Sequence, residues 1–147
     1  ANEMDIPPMS EQIKIVIHTP VRIKKDGRNL NQVYFNFGAF FGNILRRISM
    51  LTYFHTDTPL ETDFAGLMQR AKQIDFKHKE LGWYDWKRYS SRQKTEMNMG
   101  GVIGLLQLDS VGMEDFWPYL WLGQWTHAGK ATSMGLGHYS IEMTSLS

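Results

Sequence analysis

The strongest constraint on the fold is an apolar stripe between Phe37 and Leu51. Phe37, Phe40, Phe41, Ile44, Leu45, Ile48 and Leu51 recur at three- and four-residue steps, so a helix through them carries one continuous apolar face. Asn36 stands where such a helix is capped. A stripe this long needs a broad apolar partner, and the preceding residues supply one. Ile13, Ile15 and Ile17 alternate with Lys14, Val16 and His18, the period of a half-buried strand. Thr19-Pro20 interrupts that strand; proline removes a ladder donor and implies an edge or a bulge, after which Val21-Arg22-Ile23-Lys24 resumes the alternation. Lys25-Asp26-Gly27-Arg28 reads as a turn.

Further along, Thr58-Pro59-Leu60-Glu61 has the form of a capping box with proline at the first helical position, leading into Phe64, Leu67, Met68 and Ala71. Residues 73–108 read as two or three strands, with Gly100-Gly101 marking a bulge or a close backbone approach. Glu114 to His127 reads as the last long helix, acidic in its first turn and stopped by Gly129. Tyr139, Ile141 and Met143 alternate as a closing strand. The order β, α, short α, β, β, α, β is the split βαβ pattern of an α+β, ferredoxin-like domain: an antiparallel sheet with helices on one face. The expected organisation is a flexible tail over 1–11 and a single domain over 12–147.

Composition excludes several classes. Forty-two per cent of the 147 residues are hydrophobic, enough for a core, and the absence of cysteine rules out disulfides, thiolate catalysis and cysteine-based zinc sites. No apolar run approaches the length needed to span a bilayer, so no membrane partner is expected, and the reading suits a cytoplasmic protein. The net charge of +1 hides an uneven distribution. Residues 1–69 carry seven basic and seven acidic groups, residues 70–96 eight and four, and residues 97–147 one and four. The central basic stretch includes Lys87, Arg88 and Arg92 and is interleaved with Trp83, Tyr84, Trp86 and Tyr89. Cations neutralise phosphates and aromatic rings stack on bases, although a solvated strand pair with ordinary core aromatics has the same composition.

The segment richest in chemistry is Gly129-Lys130-Ala131-Thr132-Ser133-Met134-Gly135-Leu136-Gly137-His138-Tyr139. Glycines let backbone N–H groups converge on an anion, Lys130 supplies charge, and the Thr132 and Ser133 hydroxyls can donate to phosphate oxygens. The plain alternative is a glycine helix stop followed by a turn. It is not a nucleotide P-loop: Gln124 stands where the first glycine belongs, Thr132 falls one place late, and the loop follows a helix and precedes a strand. The dinucleotide fingerprint fails as well, with Ser140 in place of its third glycine.

Among the five histidines, His127 lies beside Gly129-Lys130 at a helix end and is the candidate acid or base, although a helix-terminal His also simply answers the dipole. His55 has the same reading at the end of the first helix, and His138 alternates with Tyr139 toward solvent. No pair has His-x-x-x-His spacing, so neither a metal nor a cofactor is expected.

The stretch from Leu120 to Tyr139 closely resembles the C-terminal signature of the CRISPR RNA-processing endoribonucleases, the Cas-six group of the RAMP superfamily: a helix ending in glycine, a Gly-Lys pair, small residues, then Gly-x-Gly-x-Tyr. Thr19-Pro20-Val21-Arg22-Ile23-Lys24 resembles the start of the same domain. Residues 85–93 followed by Gly100-Gly101-Val102-Ile103-Gly104 resemble its central hairpin. The resemblance implies the second of two ferredoxin-like domains in an enzyme that binds CRISPR repeat RNA and cuts it without metal. Expected partners are that RNA and an N-terminal ferredoxin-like domain or other Cas subunits. Gly129, Lys130, Thr132, Ser133, Gly135 and Gly137 are the implied RNA contacts, with Lys87, Arg88 and Arg92 beside them. The family's catalytic histidine usually sits in the first domain and is not carried over to any residue here. Two alternatives stay open: a RAMP-type subunit that grips crRNA without cutting, and an unrelated ferredoxin-like domain with an anion-binding loop.

Overall fold

A computed structural model of the chain describes residues 6–56, 63–85, 87–90, 95–98, 100–126 and 136–143, with side chains for all but 50–56, 87–90, 95–98 and 143. The first strand, β1 (Gln12–Val21), buries Ile13, Ile15 and Ile17 and turns Lys14, Val16 and His18 to the other face, as the alternation requires. A tight hairpin follows, with β2 (Lys24–Lys25) against β3 (Arg28–Asn29). Asp26 and Gly27 hold φ of 54° and 77°, the paired positive values of the turn that best matches strand twist.

Helix α1 (Phe37–Thr56) is capped by Asn36, whose Oδ1 accepts from the Ala39 N–H at 2.9 Å. Its stripe from Phe37 to Ile48 is buried. The Thr58–Glu61 capping box lies outside the described residues. The helix that follows, α2 (Phe64–Ala71), is capped by Asp63, which accepts from the Gly66 N–H at 3.0 Å. Asp63→Ala is expected to cost about 1 kcal/mol, lowering the thermal midpoint by about 3 °C. A calorimetric midpoint identical to that of the parent chain would show that the cap contributes nothing.

Four strands, rather than two or three, occupy the next stretch: β4 (His78–Tyr84), β5 (Lys87–Ser90), β6 (Thr95–Asn98) and β7 (Gly101–Asp109). Helix α3 (Trp117–Thr126) and β8 (Tyr139–Met143) complete the chain. The main sheet is antiparallel with order β4-β7-β1-β8, the ferredoxin-like arrangement in which α1 and α3 are the two crossovers. The pairing of β1 with β7 shifts register between Ile17 and Val21, which places the bulge at Thr19-Pro20. Gly101 meets the chain there closely: a Cβ on it would lie 2.7 Å from the Val21 carbonyl oxygen.

The last helix begins three residues later than the acidic pattern suggested. A helix from Glu114 would need Pro118 to donate to the Glu114 carbonyl, and proline has no N–H. Instead Phe116 and Trp117 both donate to the Met113 carbonyl in a turn, and the helix starts at Trp117 with Pro118 in its first turn. Glu114 and Asp115 stand before it, so its first turn holds no acidic residue.

The core lies between the Ile13/Ile15/Ile17 face of the sheet and the helices. Phe41 and Phe37 meet Phe116 edge-on with ring centroids 5.0 and 5.5 Å apart, and Phe40 meets Tyr139 at 5.1 Å. Near the amino terminus, Trp117 Nε1 donates to the Pro7 carbonyl at 2.7 Å, and Met9 packs against the core. No described helix is long and apolar enough to cross a membrane.

Candidate nucleic-acid interface

One end of the sheet gathers the features of interest, and topology decides which. β1 ends at Val21, and β8, antiparallel to it, starts beside Ile17 at Tyr139. β4 ends at Tyr84, opposite Gly101 at the start of β7. Every connection leaving this end therefore emerges on one side: the β2–β3 hairpin, the β5–β6 pair, and the glycine-rich segment between α3 and β8. The β5–β6 pair continues the register of β4–β7. Tyr84 faces Gly101, and three residues further on Lys87 faces Asn98. It is a finger running off the sheet, and it lies within the stretch, residues 85–93 followed by Gly100 to Gly104, expected to form a central hairpin.

Residues 127–135 lie outside the described residues, and with them His127, Gly129, Lys130, Thr132, Ser133 and Gly135; Arg92 does too. Lys87 and Arg88 are placed by their backbone in β5. Of the glycine-segment residues expected to contact RNA, Gly137 is the one whose surroundings are described. At φ 79° it donates its N–H to the Pro20 carbonyl at 2.9 Å. Next to it, His138 N–H donates to Thr19 Oγ1 at 2.8 Å, and the His138 carbonyl accepts from the N–H groups of His18 and Thr19 at 2.9 and 3.3 Å. Leu136 is buried. The exit of the glycine-rich segment is thus clamped onto the β1 bulge, and the Thr19-Pro20 interruption is what makes the clamp.

The same clamp brings together side chains that no sequence pattern linked. His18 and His138 are cross-strand neighbours on the sheet face away from the helices, with ring centroids 5.1 Å apart. His18 Nε2 lies 2.6 Å from Ser140 Oγ. His18, Thr19 and Pro20 line a hollow of about 330 Å³ with Ile103 and the half-exposed Tyr84. Two imidazoles, two hydroxyls and a phenol ring can donate hydrogen bonds to an anion and stack on a planar group. Lys14 pairs with Glu142 at 3.5 Å on the same face. Among the described residues no cluster of three or more His, Asp or Glu is placed to hold a metal ion.

Three comparisons with known proteins bear on this arrangement. The sequence pattern of the CRISPR-associated endoribonuclease Cas6 family matches residues 15–139. No curated protein matches. Among solved structures, a product complex of Thermus thermophilus Cas6 is similar with a TM-score of 0.65 at 17% identity, over 92% of this chain and 52% of that chain. A second Cas6 product complex gives 0.63 at 15% identity, over 92% and 53%. A partial Cas6-RT-Cas1–Cas2 complex gives 0.63 at 20% identity, over 95% of this chain and 24% of that one. At these identities the structural likeness concerns the fold, and the chain spans about half the length of the Cas6 chains it matches. The family pattern, by contrast, runs from β1 to the first residue of β8, across the bulge, the finger and the glycine-rich segment, and the chain belongs to the CRISPR-associated endoribonuclease Cas6 family.

Proposed function

We propose that this chain is the C-terminal, RNA-binding domain of a metal-independent, cytoplasmic endoribonuclease that processes CRISPR repeat RNA. The observation that carries the reading is the family match over residues 15–139, spanning all the connections that emerge at one end of the sheet. Gly129, Lys130, Thr132, Ser133, Gly135 and Gly137 contact the RNA backbone, and Lys87, Arg88 and Arg92 on the finger add phosphate contacts. Support for the glycine segment's role is the clamp at its exit, which fixes where the segment rejoins the sheet.

The reaction is an internal transfer. The 2′-OH loses its proton to a base and attacks the adjacent phosphorus. The bond to the 5′-oxygen of the next nucleotide breaks, an acid protonates that oxygen, and the products are a 2′,3′-cyclic phosphate and a 5′-OH. A cation at the phosphate stabilises the charge that builds there. Lys130 fits the last role, and His127 is the local candidate for proton transfer. An N-terminal ferredoxin-like domain, or other Cas subunits, completes the acid–base set, a reading supported by the chain's spanning about half the length of its Cas6 neighbours.

The test is a labelled CRISPR repeat RNA incubated with the chain in EDTA and resolved on native and denaturing gels. The expected outcome is binding without cleavage by this chain alone, single-site cleavage once the other half is supplied, and weaker binding by Lys130→Ala. Absence of binding at low salt, where phosphate contacts are strongest, would sink the reading. Binding that never leads to cleavage, even with the other half present, would favour a non-catalytic crRNA-gripping subunit.

A further inference from the structure

We infer that the β2–β3 hairpin, the N-terminal half of α1 and the end of α2 form a second phosphate-binding surface, which grips the sugar–phosphate backbone of the RNA apart from the glycine-rich segment and the finger; this rests on the RNA reading above. Two adjoining hollows of about 750 and 230 Å³, which share Lys25 and Asn36, mark the place. Lys24, Lys25 and Arg28 of the hairpin, Arg46 of α1 and Lys72 after α2 line them, against the single carboxylate of Asp26. Among the described residues the ion pairs are Lys14–Glu142, Arg70–Asp115 and His78–Glu80, so none of these five cations has an ion-pair partner among the described residues. Like charges held together without counter-charges work against the fold. A polyanion laid across them removes that penalty and releases its own counterions.

The surroundings suit a nucleic acid. Asn29 and Asn43 add side-chain amides to the lining, and such amides serve phosphate and sugar oxygens. Tyr34, 68% exposed, stands at the rim as a stacking platform for an unpaired base. Its loop is held, because Asn31 Oδ1 accepts from the Val33 and Tyr34 N–H groups at 2.9 and 3.2 Å. The hairpin is held too, by its two-residue turn and by the Leu30 N–H on the Ile23 carbonyl at 2.8 Å. Cations on a fixed platform lose little freedom on binding. The hairpin leaves β1 immediately after the bulge that clamps Gly137, so it lies at the RNA-binding end of the sheet.

The experiment measures binding of a labelled stem-loop RNA to the full chain by filter retention across roughly 50–200 mM KCl. Two double variants are compared, Lys25→Ala with Arg28→Ala, and Arg46→Ala with Lys72→Ala. Lys14→Ala on the far sheet face is the control, and thermal melts check the fold of each. Each double variant is expected to bind about ten-fold more weakly and to lower the log–log salt slope by about 1 to 2, while Lys14→Ala keeps both. If both double variants bind as the parent does while Lys130→Ala is weakened, the second surface is wrong and the RNA reading stands. If the parent chain binds no RNA at low salt, both fall. Retained RNA binding with lost adsorption to phosphatidylserine vesicles would make this a membrane surface and overturn the inference.

Discussion

An alanine at Gly104 is expected to lower the thermal midpoint by about 10 °C or more, through a loss of about 3–5 kcal/mol. Two costs add. Gly104 sits at φ 136°, a backbone conformation that residues with a Cβ rarely adopt. It also faces its neighbour strand without room: a Cβ would collide with the Glu80 carbonyl oxygen and come within 3.0 Å of the Leu81 Cα. Both obstacles are backbone, so no rotamer change relieves them, and β4 would have to leave β7. The control is on the opposite side of the same ladder. Gly82 has nothing within 4 Å of the position a Cβ would take, and Gly82→Ala should move stability by no more than about 0.5 kcal/mol. Urea titrations of the two variants decide the matter, and equal losses would mean that the ladder as a whole, rather than this contact, sets the cost.

Tyr139→Phe should change the shape of the stability curve against pH. The Tyr139 side chain is fully buried, its hydroxyl donates to the Leu120 carbonyl at 2.8 Å, and it passes over Gly123, where a Cβ would strike it. Burial raises its phenol well above the ordinary tyrosine value. Below about pH 10 the folded and unfolded chains both hold the phenol proton, and the contribution is complete. Above it the unfolded chain releases the proton while the folded chain keeps it, so stability falls by about 1.4 kcal/mol per pH unit until the folded group titrates. The phenylalanine variant loses the hydrogen bond, about 1 kcal/mol at neutral pH, and also loses this alkaline slope. The two curves are therefore expected to cross above pH 10 in denaturant titrations. Parallel curves from neutral to alkaline pH would refute the assignment of the slope to Tyr139.

What could be read from the sequence was local. The stripe from Phe37 to Ile48, the Ile13/Ile15/Ile17 alternation, the Asn36 cap and the turn at Asp26-Gly27 each depend on residues a few positions apart, and each is found as the pattern required. The start of α3 was misplaced because acidic residues mark a helix entrance only weakly, whereas the missing proline N–H is decisive. The site divides the same way. The glycine-rich segment and the finger stood out by composition. The His18–His138 pair did not, since it joins residues 120 apart that only strand register brings together. The cations around the β2–β3 hairpin were hidden by averaging: residues 1–69 balance seven charges of each sign, and only folding brings Lys24, Lys25, Arg28, Arg46 and Lys72 around adjoining hollows.

The register shared by β4–β7 and β5–β6 makes a hairpin of this kind adjustable in length. Tyr84 faces Gly101 and Lys87 faces Asn98 as if one hairpin ran through both pairs. Adding one residue to each arm would turn every side chain beyond the insertion to the opposite face. Adding two would restore the facing and carry the tip about 7 Å outward, with no change asked of the core. Such a hairpin can thus lengthen or shorten only in steps of two residues per arm, a ruler whose graduations are set by the strand pleat.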